Sequence, residues 1–283
     1  MGQEGNEVLR FADIDAKLLL KNGNYLYTIP FRGETAVLKV YYGDRSTFEY
    51  ISKTFGNVVM CNQTSFMPKA RNRKEHEVMD LWRSKGFRVF DTYDDVTFTD
   101  LPEGGYRVFE YAPGVKFVDY FADPAVTQET KMEMWRRFMP LWTRRHMLAL
   151  EESEPRLIHE NGDLKHVMIW KDDLLFFDFE MVFRSRRRVK EFVAREILAY
   201  LKSLGKTVGA EAWDTFLAET VKMYPSRDIL EYTYNFAFKN PNLVLRAGRW
   251  VDRTFKEGAK KPFSKYNVAR KIDKFLRTAG STA

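Results

Sequence analysis

The chain changes its hydrophobic period once, and that change limits the folds open to it. Up to Ala112-Pro113-Gly114 the apolar runs are short, aromatic and β-branched: "YLYTIPF", "TAVLKVYY", "RVFDTY", "DVTFTDL" and "YRVFEYA". Broken by Asn22-Gly23-Asn24, by Arg32-Gly33-Glu34 and by Pro102 with Gly104-Gly105, they read as strands joined by turns, the last two runs as a hairpin. Beyond Gly114 the repeat is helical. "QETKMEMWRRFMPLWTRRHMLALE" is one amphipathic helix disturbed by Pro140, "VKEFVAREILAYLKSL" is a second, and the rest reads mainly as helix. The predicted class is therefore α+β, with a β-rich N-lobe over 1–111 and a helical C-lobe over 112–283. One helix is expected inside the first part, at 71–85, where Val78, Met79 and Trp82 share a face and Gly86 is the stop. Residues 43–70 lack a clear period and read as an insertion with one short helix near 46–54.

Composition bounds the class of protein. A hydrophobic content of 45% with 30% charged residues over 283 positions describes an ordinary soluble globular chain. No apolar run approaches the roughly 18 residues that span a bilayer, so no transmembrane segment is expected. The N-terminus lacks the pattern of a signal peptide, and Asn6 stands where a myristoylation signal needs Ser or Thr. Cys61 is the only cysteine, which excludes an intramolecular disulfide and suits a reducing compartment. A cytoplasmic protein follows, peripheral at the inner face of the cytoplasmic membrane if it meets a membrane at all. The net charge of +7 is concentrated, because from residue 241 onward 11 Lys and Arg face three acids. A second basic cluster, "RSRRRVK", covers 184–190.

Several nucleotide and hydrolase signatures are excluded. "SLGKT" at 203–207 resembles the end of a phosphate-binding P-loop, but Tyr200 stands where that loop needs its first glycine, and a helix precedes it instead of a strand. It reads as a helix C-cap. Neither a Gly-x-Ser-x-Gly elbow nor a His-Glu-x-x-His zinc pair occurs, and four His with one Cys leave little for a metal cage.

What remains is an ordered series. Lys39 lies in the strand "AVLKV"; Glu75 follows on the first helix; "VFEYAPG" runs into the change of period; then come "HENGDLKH" at 159–166 and "FFDFE" at 176–180. That order suits ATP-dependent phosphoryl transfer. Lys39 would hold phosphates and be oriented by Glu75, one loop acid would position the acceptor hydroxyl, and a second carboxylate would bind Mg2+. The transition state spreads negative charge, which fixed cations must meet while an in-line oxygen is held ready.

On the words "AVLKVYY", "ARNRKEHEVMDLWRSKGFRVFDTYD", "VFEYAPGVKF", "LIHENGDLKHVMI" and "LLFFDFE", the chain resembles the protein-kinase-like superfamily over roughly residues 20–200. It looks closest to small atypical members, the bacterial lipopolysaccharide (Kdo/heptose) kinases. The small RNA-associated kinase of the KEOPS tRNA-modification complex is a near second. The resemblance implies a two-lobed protein-kinase-like fold that uses ATP and Mg2+. It implies Lys39 as the ATP lysine, Glu75 as its partner, Gly23 in the phosphate lid, and Glu110, Tyr111 and Ala112 as the adenine hinge. It further implies Asp178 as the metal aspartate and His166 at the second-ligand position.

Three departures matter. Asn161 occupies the usual catalytic-aspartate position two after His159, and the acid is Asp163, four after it. Either the loop is re-registered so that "Gly-Asp-Leu-Lys" delivers Asp163 as base beside Lys165, or Asp163 has another role and the base is missing. The lid keeps a single glycine, and Glu180 replaces the last glycine of Asp-Phe-Gly; a pseudo-kinase binding module is the reading these two departures leave open. Arg184 follows within six residues of Asp178, so a peptide-clamping segment is not expected and a bulky non-peptide acceptor is. Arg184, Arg186, Arg187 and Arg188 would grip an anionic, lipid-linked sugar, best a lipopolysaccharide core sugar. Arg246, Arg249, Trp250, Arg253, Phe263, Lys265 and Tyr266 would rest on anionic lipid. The same face would suit tRNA as the alternative acceptor or partner.

Overall fold

The computed structural model describes residues 7–21, 23–239 and 261–280. Arg246, Arg249, Trp250 and Arg253 lie outside them. The chain forms two compact units that are not contiguous in sequence, one of Met1–Gly114 with Trp170–Arg184, the other of Val115–Ile169 with Ser185–Ala283. Among the described residues no helix is long and apolar enough to cross a membrane.

The first unit is built on strands β1 (Glu7–Leu9), β2 (Lys17–Lys21), β3 (Tyr25–Phe31), β4 (Glu34–Val40), β5 (Thr92–Tyr93), β6 (Val96–Phe98) and β7 (Tyr106–Glu110). Five of them form a sheet in the order β2-β3-β4-β7-β5, antiparallel throughout. The β3–β4 connection is a two-residue hairpin, with Arg32 at φ 51° and Gly33 at φ 79°, the left-handed pair that matches the twist of the flanking strands. Alternate residues Ile29, Phe31, Ala36, Leu38 and Val108 face the core with Val96 and Phe98. One expectation fails here. "DVTFTDL" does not pair with "YRVFEYA"; β6 lies parallel to β1, and β7 lies between β4 and β5. The seven residues from Thr99 to Gly105 are too many for a tight hairpin, and the Phe98 N–H donates to the Tyr106 hydroxyl at 2.8 Å instead of to a strand.

Two helices pack in this unit. α1 (Thr47–Phe55) starts on a capping box, in which the Ser46 side chain accepts from the Glu49 N–H while Glu49 accepts from the Ser46 N–H. α2 (Pro68–Ser84) begins three residues earlier than expected because Pro68 supplies a preset φ at its first position. Its buried stripe divides by chemistry: Arg71, Asn72 and Glu75 in the first half, Val78, Met79 and Trp82 in the second. The apolar half seats the segment 176–179. Trp82 lies 5.3 Å from the ring of Phe176 and 4.6 Å from that of Phe179, while Phe177 turns to Phe90 at 5.7 Å. The phenylalanines around Asp178 are thus packing residues that fix where the acid sits.

The second unit is helical: α3 (Phe117–Ala122), α4 (Gln128–Glu151), α5 (Val189–Met223), α6 (Arg227–Phe238) and α7 (Lys265–Gly280), with β8 (Val115–Lys116) paired antiparallel to β9 (Val167–Trp170). Its centre is aromatic: Phe121, Trp135, Phe138, Trp142 and Tyr200 lie in ring contact along α3, α4 and α5. Pro140 does not end α4. "SLGKT" is not a helix end either; it lies inside α5, which continues to Met223 through a kink at Gly209 with φ 82°. The reason is packing at Gly205. A Cβ there would lie 2.5 Å from Phe263 and 2.8 Å from the Trp213 indole nitrogen, so the glycine marks close approach within a helix and not its stop.

Candidate active site

Lys39 points into the buried charged half of α2. Its ammonium lies 3.0 and 2.8 Å from the two carboxylate oxygens of Glu75 and 2.7 Å from Glu180 Oε1. Strand and helix therefore bring together a lysine and a glutamate 36 positions apart. Glu75 is further fixed by the Tyr41 hydroxyl and by the Phe179 N–H, which donates to Oε1 at 3.3 Å. Burial pulls the Lys39 amine down, but Glu180, Glu75 and Asp178 together outweigh it and hold the ammonium above its ordinary value. Lys39 is thus a permanent cation. Burial is also the main cause that raises Glu75, with Glu180 and Asp178 adding to it against the pull of Lys39.

Asp178 stands close enough to act on both of these groups, and its backbone is unusual. Its φ is 73°, in the left-handed region that most β-carbon-bearing residues avoid and that Asn and Asp tolerate better than others. Two residues on, Glu180 meets Arg71 Nη1 at 2.7 Å and accepts from the Asn24 amide, while Arg71 Nη1 donates to Asn24 Oδ1 at 2.6 Å. Arg71, Asn24 and the pairing of Glu180 are the residues that sequence reasoning did not place. The available signal was the i, i+4 spacing of Arg71 and Glu75, which puts both on one stripe of α2. Asp178 is a carboxylate, the hard oxygen ligand type that Mg2+ takes. Among the described residues no group of three or more His, Cys, Asp or Glu forms a metal cage, and Mg2+ is ordinarily held by one or two carboxylates with phosphate oxygens completing its shell.

The second unit carries the loop 159–166. Asp163 caps a short 3-10 turn, Leu164–His166, its Oδ1 accepting from the Lys165 N–H at 3.1 Å and from the Ser203 hydroxyl at 2.8 Å. The Ser203 oxygen in turn accepts from the Leu164 N–H at 3.3 Å. A hydroxyl on α5 therefore orients both the acid and its backbone. Gly162 is buried against the same helix, where a Cβ would lie 2.8 Å from Glu196. His166 is buried, stacks on His159 with centroids 5.2 Å apart, and bonds through Nδ1 to the Asn161 carbonyl at 2.8 Å. Asn161 and Lys165 are exposed.

Below the loop lies a fully buried ionic group. Arg145 pairs with Glu196 and donates to the Leu157 carbonyl at 2.6 Å; Glu196 also accepts from the His159 N–H at 3.2 Å and contacts His146 at 3.3 Å. Burial alone would raise Glu196, but the Arg145 guanidinium and His146 hold it down to about 2. Nothing local in the sequence marks Glu196 or Ser203, because each acts on a loop some 40 residues away.

Gly23 has φ 76° and lies against the Arg45 guanidinium, 2.8 Å from where a Cβ would stand. The Glu110 carboxylate is engaged by Arg88 at 2.6 Å and by the Asp91 N–H at 2.8 Å, while Tyr111 is exposed and Ala112 half-buried. Arg184 belongs to the first unit and Arg186, Arg187 and Arg188 to the second. Arg188 is tied to Glu191 at 2.9 Å and Arg186 lies 3.7 Å from Glu154; Arg187 is exposed.

No protein-family model matches the chain, and no curated protein matches it either. Among solved structures it is similar to the Rio2 kinase of Chaetomium thermophilum, solved as an ADP/Mg2+-phosphoaspartate complex, at 12% identity with a TM-score of 0.45, over 95% of this chain and 72% of that one. It is also similar to WaaP, solved in complex with acyl carrier protein, at 12% identity with a TM-score of 0.38, over 93% of this chain and 90% of that one.

Proposed function

We propose that the chain is an ATP- and Mg2+-dependent phosphotransferase that moves a γ-phosphoryl group to an alcohol of a non-peptide acceptor. The observation that carries this reading is the buried Lys39–Glu75 pair beside Asp178. A lysine kept charged in a buried site, with a carboxylate fixing its direction, is suited to phosphate oxygens. Mg2+ would be held by Asp178 and would supply neutralisation of the charge on the phosphate oxygens. Lys39 holds the nucleotide's phosphates and Glu75 aims it. Asp163 accepts the proton of the acceptor hydroxyl as that oxygen bonds to phosphorus and the bond to ADP breaks, while Ser203 holds the carboxylate in place.

The acceptor class proposed is an anionic, lipid-linked sugar such as a lipopolysaccharide core sugar, gripped by Arg184, Arg186 and Arg187 at an open surface. Support comes from the short interval between Asp178 and α5 and from the exposure of these arginines. The test is transfer of labelled γ-phosphate into fractionated cell material. Label in the lipid fraction supports the sugar acceptor, label in RNA supports a tRNA kinase, and binding without any transfer supports a pseudo-kinase.

A further inference from the structure

A lysine ammonium has three N–H bonds to give, and in this chain three carboxylate oxygens take them. Two belong to Glu75, at 3.0 and 2.8 Å, and the third is Glu180 Oε1 at 2.7 Å. A phosphate oxygen therefore reaches Lys39 only by replacing one of them. Glu75 is the harder to move. Both of its oxygens carry a second bond, from Tyr41 and from the Phe179 backbone, and it projects from the middle of α2. Glu180 is different. Its other partners, Arg71 at 2.7 Å and the Asn24 amide, can keep its charge satisfied when it lets go of the amine.

We propose that Glu180 is an internal occupant of the phosphate position on Lys39, and so the positioning residue that sets how tightly this chain holds a nucleotide's phosphates. The proposal rests on the nucleotide reading given above. Arg71 and Asn24 are the parking place for the displaced carboxylate. Apparent affinity for the triphosphate is reduced by the fraction of molecules in which Lys39 is vacated, so a Glu180 that holds the amine in nine molecules of ten weakens binding about tenfold. Adenosine, which has no phosphate, does not compete with Glu180 at all.

The experiment measures the affinities of ATP, ADP and adenosine, with Mg2+ present, for the full chain and for Glu180→Gln and Glu180→Asp. Gln removes the charge that competes with phosphate. Asp keeps a charge for Arg71 but retracts it by one methylene, which covers the case in which a neutral side chain beside the buried Arg71 fails to fold. The expected result is ATP and ADP binding at least tenfold tighter in the folded variants, with adenosine unchanged. ATP binding unchanged or weaker in the folded variants overturns the proposal, and so does a gain shared equally by adenosine, which is what a general loosening of the fold would produce. Absence of ATP and ADP binding in the wild-type chain and both variants overturns the nucleotide reading itself, and Glu180's role with it.

Discussion

Asp163 depends on a hydroxyl 40 residues away in the sequence. Ser203→Ala is expected to lower kcat about tenfold, roughly 1.4 kcal/mol of barrier, with little change in the KM for ATP, and Ser203→Thr should restore most of it. Steady-state kinetics on the three proteins checks this. A loss confined to thermal stability would make Ser203 structural only. Lys39, Glu75, Asp163 and Asp178 stood out in the sequence because each sits in a short word of an ordered series, and the structure brings Lys39 and Glu75 into contact. Ser203, Glu196 and Arg71 did not, since their roles arise from a helix face meeting a loop or a distant carboxylate. Glu180 was visible as the residue in a glycine's place, but its bond to Lys39 exists only once β4, α2 and the segment 176–180 are packed.

At the scale of elements, α5 shows what pattern alone misses. Periodicity identifies its first half, and the glycine in "SLGKT" looks like an ending. Yet Gly205 is buried against Phe263 and Trp213, and the helix runs on to the kink at Gly209. Gly205→Ala is expected to destabilise by about 1–3 kcal/mol through overpacking, despite alanine's better helix propensity. Gly209→Ala has free space around its Cβ, yet φ 82° with ψ 173° is a backbone region held almost only by glycine, so it should cost about 1–3 kcal/mol from strain alone. Urea denaturation measures both. A negligible effect of Gly205→Ala would mean that Gly205 is not at a close contact. The pairing of β6 was misread for a related reason, because its partner β1 comes from the far end of the unit's sequence, and alternation names a strand without naming its neighbour.

For the whole molecule, the buried Arg145–Glu196–His146 group makes stability depend on acid. Glu196 is held at about 2 against an ordinary 4.5, so its contribution is complete above pH 4.5 and is lost as the pH falls toward 2. His146 is held below its ordinary 6.5, chiefly by burial. The unfolded chain takes up that proton first, so stability already begins to fall below pH 6.5. Denaturation midpoints measured from pH 7 to pH 3 should decline throughout and steepen below 4.5. Glu196→Gln should remove the steep part, at the cost of about 3–5 kcal/mol at neutral pH for leaving Arg145 buried without its partner. A profile in Glu196→Gln parallel to that of the wild type would contradict this assignment.

On the function proposed above, Lys39 and Asp178 serve one Mg2+-bound nucleotide. Mg2+-dependent ATP turnover by the purified full chain, compared with Lys39→Ala and Asp178→Ala, tests it most directly. Turnover that requires Mg2+ and falls at least a hundredfold in each folded variant, about 3 kcal/mol of barrier, is the predicted result. Turnover indifferent to both substitutions would contradict it.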